Sequence, residues 1–547
     1  MNLLLQNIKR DVKIYIKPKG LNMIKTDIRV PVGYTAEDIK TAIISRIPVK
    51  ISELNDISII KRTLDVKVKN DIHYKMTVAL RLGEDRERGL LKMRKKVFFA
   101  EEYSFESPAS HLPLRPVVAG SGPAGLFAAL ILAESGARPI VLERGLPVEE
   151  RKKKVDAFRT FSILDTECNI QFGEGGAGTY SDGKLKCGAM DKYKMKVLSE
   201  FVSAGANEEI TYSSSAHLGT DKLSDIVKNI RNKIISLGGE FIFSARLVDI
   251  KIKDGSVSEA IYEKDGARHS IKTQNLILAT GHSAKDTFEM LEKLSIPMEA
   301  RGFGIGVRIE HQREYINRLV YGDKAPSGIE TANYRLVTHL KGGRSVYSFC
   351  MCPGGTVVAA ASEKEGIVTN GMSEYKRDGE NSNAAFLVSV TPSDFDSDSA
   401  LAGLDLQRKI EKRAYALTSG YKAPAVTMSD FEKGLKPTSF ASVKPTYPIG
   451  TEPISAEEYL PEFICESLRS AISDFDEWMP GFRYADAVLT GPETRTTSPV
   501  RILRTEKYQS ITARGLYPIG EGAGYSGGIV SSAVDGIKCA EAILLNN

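Results

Sequence analysis

The spacing of apolar and polar positions predicts a small N-terminal α/β module. Strand spacing occurs at Thr26–Val32, Asp56–Lys61 and His73–Leu82. Helical spacing occurs at Ala36–Arg46, and Thr35 stands where its side chain can cap that helix. The basic run Arg86–Lys96 indicates the surface of a second helix. The module contains no phosphate-binding or RNA-binding signature, so its pattern predicts a fold without predicting a task.

The longer part of the chain follows a segment without periodicity. Residues 105–116 contain three prolines and predict a linker. Strand and helix patterns then alternate from residue 117 to about residue 290, which is typical of α/β architecture. From about residue 300 to residue 485 the pattern is richer in strands, and a Gly-rich stretch and a final helix follow. This order predicts one fold that is interrupted by an inserted domain and closes near the end of the chain.

The composition indicates the class of protein, and the charged residues are unevenly distributed along the chain. Hydrophobic residues make up 42% of the chain and charged residues 26%, which is typical of a soluble globular protein and excludes a disordered or collagen-like chain. Residues 1–100 contain 22 Lys and Arg against 11 Asp and Glu, whereas the rest of the chain has a net charge of −6. The basic module indicates either an anionic partner such as nucleic acid or a solvated Lys-rich surface, and we favour the solvated surface.

The cysteine and histidine positions indicate no metal site. None of the six cysteines forms a CxxC pair and the seven histidines are scattered, so free thiols in a reducing compartment are expected. The N-terminal apolar run is too short for a signal peptide, and no apolar stretch reaches the roughly 18 residues of a membrane span. We therefore expect a cytoplasmic protein without metal and without membrane association.

The strongest motif lies directly after the linker. A short apolar strand leads into Gly120-x-Gly122-x-x-Gly125, a helix follows and ends at Gly136, and a second strand ends at Glu143. In such a turn the first glycine permits the tight bend, the second lets the backbone approach a pyrophosphate, and the third allows close helix packing. The carboxylate of Glu143 is placed to accept a ribose hydroxyl. These elements in this order predict a dinucleotide-binding βαβ unit.

Three later segments carry further glycine-rich patterns. Phe172–Leu185 has four glycines within six residues, which indicates backbone pressed against a ligand. Asn275–Gly281 is an apolar strand that ends in Ala-Thr-Gly, and Gly515–Ile529 combines an apolar strand, an acid and a Gly-rich entry into the last helix. The sequence contains no second GxGxxG that follows a strand and opens a helix, so it predicts no separate NADPH domain.

Together with the motif Gly120-x-Gly122-x-x-Gly125, called the fingerprint below, these segments carry a family resemblance. The chain resembles flavoproteins of the glutathione-reductase-type FAD fold with a single nucleotide-binding domain. More narrowly, it resembles the bacterial group of uncharacterised FAD-dependent oxidoreductases also called NAD(FAD)-utilizing dehydrogenases. The segments that carry this resemblance are Gly173–Leu185, Ala279–Asp286, Tyr347–Gly355, Thr490–Arg501 and Gly515–Gly536. The resemblance covers most of the chain and implies FAD as the cofactor, with NADH or NADPH as a candidate electron donor.

Pattern and resemblance together give expected domains and FAD-binding residues. The domains are the basic module 1–104, the linker 105–116, a discontinuous Rossmann-like FAD-binding domain in two parts, 117–294 and 486–547, and an inserted strand-rich α+β substrate domain, 295–485. The expected FAD-binding residues are Gly120, Gly122, Pro123, Ala124, Gly125, Glu143, Arg144, Gly175, Gly176, Gly178, Ser181, Lys184, Thr280, Gly281, Gly520, Glu521, Gly527, Gly528 and Ile529. In the resembling flavoproteins the acid at Glu521 commonly holds a ribityl hydroxyl, and there Asp is the commoner residue.

Catalytic groups are less evident than cofactor-binding groups. His282 is a candidate acid or base, although its turn is expected on the adenosine side of the cofactor. Cys350 and Cys352 are candidate redox thiols, because residues i and i+2 of a strand face the same way, with buried structural thiols as the favoured alternative. Arg495 and Arg501 are candidate clamps for an anionic substrate, with ordinary salt bridges as the equal alternative.

These observations predict an FAD-dependent oxidoreductase that transfers a hydride between flavin N5 and a small-molecule substrate or a nicotinamide. The substrate is expected between the FAD-binding domain and the inserted domain. Two alternatives stay open: a flavoprotein that acts on or binds RNA through its basic module, and a flavin-binding regulator without turnover. The sequence predicts neither the substrate nor the oligomeric state.

Overall fold

The structure is a computed structural model that describes residues 23–93, 96–100, 103–185, 188 and 190–546. The chain divides into two compact units. The first comprises Met1–Phe105, Gly188–His217 and Asn317–Ala332, and the second comprises Glu106–Cys187, Leu218–Ile316 and Asn333–Asn547. The basic module predicted at 1–104 therefore shares its unit with two later segments, which the sequence pattern assigns to other domains.

The regular elements are numbered in chain order. The helices are α1 (Ala36–Arg46), α2 (Glu84–Leu91), α3 (Pro123–Glu134), α4 (Val148–Phe161), α5 (Lys192–Ser203), α6 (Thr220–Ser236), α7 (Lys285–Lys293), α8 (Arg313–Tyr321), α9 (Ala402–Leu417), α10 (Met428–Lys433), α11 (Glu462–Trp478) and α12 (Ile529–Leu545). The strands are β1 (Ile24–Pro31), β2 (Ile57–Asp65), β3 (His73–Leu80), β4 (Phe98–Phe99), β5 (Val117–Ala119), β6 (Ile140–Leu142), β7 (Glu240–Ile242), β8 (Arg246–Lys253), β9 (Ser256–Lys264), β10 (Ala267–Lys272), β11 (Leu276–Leu278), β12 (Met298–Ala300), β13 (Phe303–Gln312), β14 (Leu336–His339), β15 (Ser345–Cys352), β16 (Thr356–Ala359), β17 (Thr369–Met372), β18 (Asn381–Val390), β19 (Ala423–Thr427), β20 (Thr451–Pro453), β21 (Val488–Glu493), β22 (Val500–Ile502) and β23 (Leu516–Pro518). Within the described part of the chain, no helix has both the length and the hydropathy that crossing a membrane would take.

The first unit is built on an antiparallel four-stranded sheet in the order β2-β3-β1-β4. β1 buries every second side chain, Ile24 and Ile28 among them, in a core shared with α1. Thr35 caps α1, because its hydroxyl accepts a hydrogen bond from the Asp38 N–H and its own N–H donates to the Asp38 carboxylate. The predicted strands and the capped helix of this module are therefore confirmed. The basic run Arg86–Lys96 is helical to Leu91, and its residues 94–95 lie outside the described residues.

Arg62 in β2 explains why the segment around residue 212 belongs to the first unit. Its backbone N–H donates to the Tyr212 carbonyl at 2.7 Å, and its carbonyl accepts from the Ser214 N–H at 2.9 Å. Its guanidinium pairs with Glu209 and lies 4.9 Å from the ring centre of Tyr74. These contacts extend the sheet by residues far along the chain, which a local pattern does not reveal.

The second unit contains a parallel five-stranded sheet in the order β23-β11-β5-β6-β7. Four of these strands, β5, β6, β11 and β23, are fully buried, as expected for parallel strands covered on both faces. The register places Ala119 beside both Leu142 and Leu278, and Leu278 beside Pro518. Because parallel strands end at one edge, the four motifs that follow these residues meet there. The predicted α/β class with a discontinuous Rossmann-like domain is confirmed.

A larger sheet has seven strands in the order β14-β15-β18-β13-β21-β19-β20. Neighbouring strands are antiparallel except for β19 and β20. It occupies the strand-rich region predicted as the inserted domain. β21 pairs with β13 and β19, so the chain leaves this sheet after Glu493, later than the boundary predicted after residue 485. The partners of β21 are distant in sequence, and a local pattern does not show such pairing.

We expect Gly536→Ala to destabilise the second unit. A Cβ at Gly536 in α12 would lie 2.1 Å from the carbonyl oxygen of Ala124 in α3, so the two helices would have to separate. Overpacking of this kind costs about 1–3 kcal/mol, against a gain in helix propensity of at most about 1 kcal/mol. Urea unfolding should show a lower midpoint than the parent. Gly342→Ala, where a Cβ meets no atom within 4 Å, is the control, and equal midpoints for both variants would contradict the close packing.

Candidate functional site

A cavity of about 580 Å³ opens at the carboxyl edge of the parallel sheet. Its walls come from the loops after β5, β6, β11 and β23 and from the segment Phe172–Leu185, called the Gly-rich loop below. Residues 333–335, 349–352, 370–371 and 495–496 complete the lining. The volume is typical of sites for small molecules and cofactors, which span about 300–1,000 Å³. The cavity therefore joins the predicted dinucleotide-binding loops to side chains of the region that holds the larger sheet.

Most of the residues singled out in the sequence line this cavity. They are Gly120, Gly122, Pro123, Ala124, Glu143, Arg144, Gly176, Gly178, Ser181, Lys184, Thr280, Gly281, His282, Cys350, Cys352, Arg495, Gly520, Glu521, Gly527, Gly528 and Ile529. Gly125, Gly175 and Arg501 do not line it. That the lining residues hold FAD stays a prediction.

The fingerprint turn has the geometry of a phosphate-binding site. Gly120 has a φ of +102°, and a Cβ there would lie 2.3 Å from the Ala279 carbonyl oxygen. Gly125 packs instead of lining the cavity, because a Cβ would lie 1.9 Å from the Gly120 carbonyl oxygen. Gly122 faces the cavity at the start of α3, and no side chain caps this helix. The first N–H groups of α3 are therefore available to an anion.

Glu143 is buried at the end of β6 and accepts four hydrogen bonds from the chain. One oxygen accepts from the N–H and the hydroxyl of Ser121, at 2.9 and 2.7 Å. The other accepts from the N–H groups of Gly145 and Gly173, at 2.9 and 3.1 Å. A carboxylate can accept about four hydrogen bonds, so these donors occupy all of its acceptor positions. The structure gives Glu143 the task of joining the fingerprint turn to the Gly-rich loop, and ribose binding stays a prediction.

Arg151, which sequence reasoning missed, holds the Gly-rich loop. Its fully buried guanidinium donates to the backbone carbonyls of residues 169, 170, 173, 174 and 176, at 2.6–3.3 Å. A Cβ at Gly173 would lie 2.4 Å from the Arg151 Cδ, so this glycine makes room for the side chain. Burial lowers the pKa of Arg151. One feature of the sequence indicates that Arg151 is buried: it lies at helical spacing on the same face of α4 as the apolar residues Val148, Val155 and Phe158.

Gly175 serves the loop and not the cavity, which corrects the expectation of a cofactor contact. It is buried, its N–H donates to the Ser121 carbonyl at 3.0 Å, and a Cβ would lie 2.2 Å from the Thr179 Oγ1. Gly176 and Gly178 face the cavity, and a Cβ at Gly178 would lie 3.2 Å from the Ile529 Cγ1. The loop therefore packs closely against the start of α12, because glycine has no side chain to separate the two segments.

Glu521 presents a carboxylate to the cavity, and it has no hydrogen-bond partner among the described residues. Burial raises its pKa to about 7, although the charge of Arg301 acts in the opposite direction. α12 begins at Ile529 without a side-chain cap. An acceptor without a donor beside an open helix N-terminus suits a ligand that carries hydroxyl groups and an electron-rich ring.

The Ala-Thr-Gly turn brings His282 to the cavity as a neutral imidazole. Its Nδ1 lies 3.2 Å from the Ser283 Oγ. Burial, assisted by the charge of Arg495, lowers the pKa of His282 to about 4. A Cβ at Gly281 would meet no atom within 4 Å, so the backbone there is open. At neutral pH His282 can exchange hydrogen bonds with a ligand without carrying charge.

Cys350 and Cys352 are unpaired thiols in different surroundings. The strand register shifts between Phe349 and Cys352, and Cys350 has a φ of +47°, so the regular alternation assumed from the sequence does not hold. Cys350 is exposed to the cavity, whereas Cys352 is buried with its Sγ 3.5 Å from the Cys350 carbonyl oxygen. Desolvation by the surrounding cavity walls raises the pKa of Cys350 to about 11, and burial raises that of Cys352. Both groups are therefore thiols and not thiolates at neutral pH.

The two arginines expected to clamp an anion have other partners. The Arg495 guanidinium donates to both carboxylate oxygens of Glu411, at 2.9 and 2.7 Å, and to the Ser362 hydroxyl. Arg501 lies outside the cavity, 3.4 Å from the Glu299 carboxylate on the surface. Both follow the salt-bridge alternative, because each guanidinium meets a carboxylate contributed by a distant part of the chain.

The cavity has the features that FAD requires. Two helix N-termini without side-chain caps, those of α3 and α12, can receive phosphate and ring oxygens. Backbone at Gly281 and Gly527 is open, since a Cβ at either position would meet nothing within 4 Å. Glu521 supplies an unsatisfied acceptor for a hydroxyl group. The residues present therefore fit a flavin dinucleotide.

We expect Arg151→Met to collapse the Gly-rich loop. All five carbonyls lose the guanidinium, and those of Asn169 and Ile170 have no other donor among the described residues; each buried carbonyl left without a donor costs about 1–3 kcal/mol. Urea unfolding should show a loss of at least about 3 kcal/mol, and the purified protein should lack FAD. Lys152→Met, the exposed neighbour on α4, is the matched control. A stable Arg151→Met protein with a full complement of FAD would contradict this role.

Glu521 should make the stability of the FAD-free protein fall with rising pH. Its pKa is raised from 4.5 to about 7 in the folded protein, so between these values the folded state holds a proton that the unfolded state has released. Raising the pH through this window therefore costs stability, and Glu521→Gln abolishes that cost. The advantage of Glu521→Gln over the parent in urea unfolding should grow from pH 4.5 to pH 7. Glu299→Gln, an exposed carboxylate, should show no such growth.

Comparisons with known proteins agree with these features. A family described as "FAD-dependent protein, C-terminal domain-like" matches residues 302–496. A protein of Clostridium beijerinckii, described only as an uncharacterized protein, is 45% identical over 500 residues, which are 90% of this chain and 93% of that protein. A flavin-dependent brominase (11% identity, 79% of this chain and 80% of that chain, TM-score 0.36) and a flavoprotein/dehydrogenase from Cytophaga hutchinsonii (13%, 79% and 78%, TM-score 0.35) are similar solved structures. At these TM-scores nothing further rests on them.

The FAD-dependent family expected from the glycine motifs is therefore confirmed. The relative from Clostridium spans nearly the whole chain, and the family match covers much of the larger sheet. The chain belongs to this family of FAD-dependent proteins, and FAD is its cofactor.

Proposed function

We propose that the protein is an oxidoreductase whose small-molecule substrate binds in the same cavity as FAD. The observation that carries the proposal is the extent of the cavity. It continues from the dinucleotide-binding loops to a wall formed by residues 333–335 and 349–352, which contains aromatic, polar and charged side chains. This wall offers a second molecule a place beside the cofactor.

The residues at the other end of the cavity would hold FAD. The uncapped start of α3 at Gly122 suits the pyrophosphate, and Glu521 suits a ribityl hydroxyl. The start of α12 at Ile529 suits the polar edge of the flavin ring. Bound FAD supplies hydride transfer, and the protein supplies orientation and electrostatics.

Two ionisable side chains of the cavity, those of His282 and Cys350, are neutral at pH 7. His282 lacks a proton because its pKa is lowered to about 4, and Cys350 retains its proton because its pKa is raised to about 11. A protonated thiol is a poor nucleophile, so we expect Cys350 to take part in no covalent step. His282 can accept a hydrogen bond or a proton from a ligand, and Cys350 can line the wall as a weak donor.

Ion pairing in the first unit favours the oxidoreductase proposal over RNA binding. Arg29, Arg62, Lys75, Arg81, Arg86 and Arg88 each pair with a carboxylate among the described residues. Basic side chains that are already paired offer less to phosphate groups. The pairing supports the interpretation of the basic module as a solvated surface.

Anaerobic titration of the FAD-loaded protein tests the proposal. We expect NADH or NADPH, or else a reduced organic substrate, to bleach the visible flavin absorbance in a saturable way. An oxidised acceptor should then restore the colour and sustain turnover. Dithionite is the control, because it reduces accessible flavin without needing a site. A flavin that dithionite reduces, but that no nicotinamide, hydroxy acid, amino acid or quinone turns over, would contradict the proposal and favour a flavin-binding regulator.

A further inference from the structure

Three of the charged side chains that line the cavity, Arg144, Asp182 and Arg495, have a partner of opposite charge. The three ion pairs are Arg144 with Asp286 at 2.5 Å, Asp182 with Arg377 at 2.5 Å, and Arg495 with Glu411 at 2.7 Å. Glu143 is satisfied by N–H and hydroxyl donors. These groups are occupied in holding the fold, so they have little to offer a substrate.

Lys184 and Arg335 are the exceptions among the cations of this wall. In the described part of the chain neither lies within 4.0 Å of a carboxylate that it could pair with. The Lys184 ammonium donates to the Met351 carbonyl, and no described residue offers an acceptor to the Arg335 guanidinium. Lys184 also acts on the Asp182 carboxyl, where burial opposes ionisation but the charges of Arg377 and then Lys184 lower the pKa. Arg377 already pairs with this carboxylate. This part of the cavity therefore carries an uncompensated positive charge.

The two cations belong to one stretch of the wall. Lys184 is bonded to the carbonyl of Met351, whose Sδ accepts the Tyr334 N–H at 3.3 Å, and Arg335 is the next residue. The register of β14 with β15 pairs Leu336 with Ser348, which carries residues 334 and 335 toward 349 and 350. The side chain of Asn333 also lines the cavity and has no protein partner among the described residues.

Arg335 is exposed and Lys184 is half-buried, so both side chains are accessible to a ligand that enters the cavity. Cys350, on the same stretch of wall, cannot neutralise this positive charge, because desolvation by the cavity walls raises the pKa of its thiol to about 11. A guanidinium and an ammonium on one wall, with an amide beside them, match the acceptor geometry of a carboxylate or phosphate.

We propose that Lys184 and Arg335 form an anion subsite that binds the carboxylate or phosphate of the second molecule in the cavity. This inference rests on the proposed function, since it supplies the chemical class of that substrate. It replaces Arg495 and Arg501, the clamps expected from the sequence, with Arg335 and with Lys184, which the sequence had assigned to FAD. The anion comes either from an organic acid or from a phosphate of a nicotinamide nucleotide.

Binding of benzoate to the oxidised, FAD-loaded protein tests the subsite. Benzoate should perturb the visible flavin spectrum in a saturable way, whereas benzamide, of the same shape without the charge, should not. Arg335→Gln and Lys184→Gln should each weaken benzoate binding about ten- to hundredfold, the loss expected for one charge-assisted hydrogen bond. Arg335→Lys should recover part of the affinity because it restores the charge. Arg501→Gln, on the surface outside the cavity, should bind benzoate like the parent.

The source of the anion follows from competition. Displacement of benzoate by NADP⁺ in preference to NAD⁺ assigns the subsite to a nucleotide phosphate, and displacement by neither assigns it to an organic acid. Absence of a spectral change with benzoate, equal binding of benzamide, or unchanged affinity in Arg335→Gln would overturn the proposal. Loss of FAD from both glutamine variants would also overturn it, because the cations would then hold the cofactor. The assay needs no turnover, so the subsite and the proposed function can fail separately.

Discussion

The cofactor side of the cavity depends on a guanidinium that is buried without a carboxylate. Arg151 is fully enclosed, and five backbone carbonyls of the Gly-rich loop accept its hydrogen bonds. A buried charge is tolerated only when its donors are satisfied, so the loop must adopt the shape that presents these carbonyls. The same shape requires a positive φ at Gly173, where any side chain would collide with Arg151. Loop and arginine therefore depend on each other.

Gly173 links this arginine to the dinucleotide-binding turn. Its N–H donates to the Glu143 carboxylate, and its carbonyl accepts from the Arg151 guanidinium at 3.3 Å. The other oxygen of Glu143 holds the N–H and hydroxyl of Ser121 inside the fingerprint. The turn, the end of β6 and the loop thus form one hydrogen-bonded assembly. In such an assembly the openings left for a ligand are set by backbone positions and not by flexible side chains.

The opposite wall of the cavity is held by a second buried arginine. Arg308 in β13 donates to the Asn383 Oδ1 at 2.5 Å, to Glu493 at 3.3 Å and to the Cys350 carbonyl oxygen at 3.1 Å. Burial raises the pKa of Glu493 to about 7, and the Arg308 charge opposes this rise. The bond to the Cys350 carbonyl lies at the irregular end of β15, where the backbone turns its thiol to the cavity. Both walls therefore depend on a buried arginine, which donates to five main-chain carbonyls in the case of Arg151 and to the Cys350 carbonyl and two side chains in the case of Arg308.

Local spacing determined much of what this chain shows by itself. The capped helix after Thr35 and the fingerprint glycines follow from neighbours in sequence, because caps, tight turns and strand-to-helix entries are made by residues a few positions apart. The FAD-dependent class followed from the family resemblance that the glycine motifs carry. The convergence of four motifs at one sheet edge also follows once parallel strands are assumed. Most of the residues singled out in the sequence therefore line the cavity.

Tertiary structure decided which charges are used and which remain free. Arg495 meets Glu411, Arg501 meets Glu299, and Arg335 meets no carboxylate among the described residues. The motif positions do not distinguish these three arginines, because a guanidinium finds its partner through contacts between distant segments. Arg151 was hidden for the same reason, since its acceptors are main-chain carbonyls that exist only after the Gly-rich loop has folded around it. Sequence spacing placed the backbone of the site, and long-range packing assigned its charges.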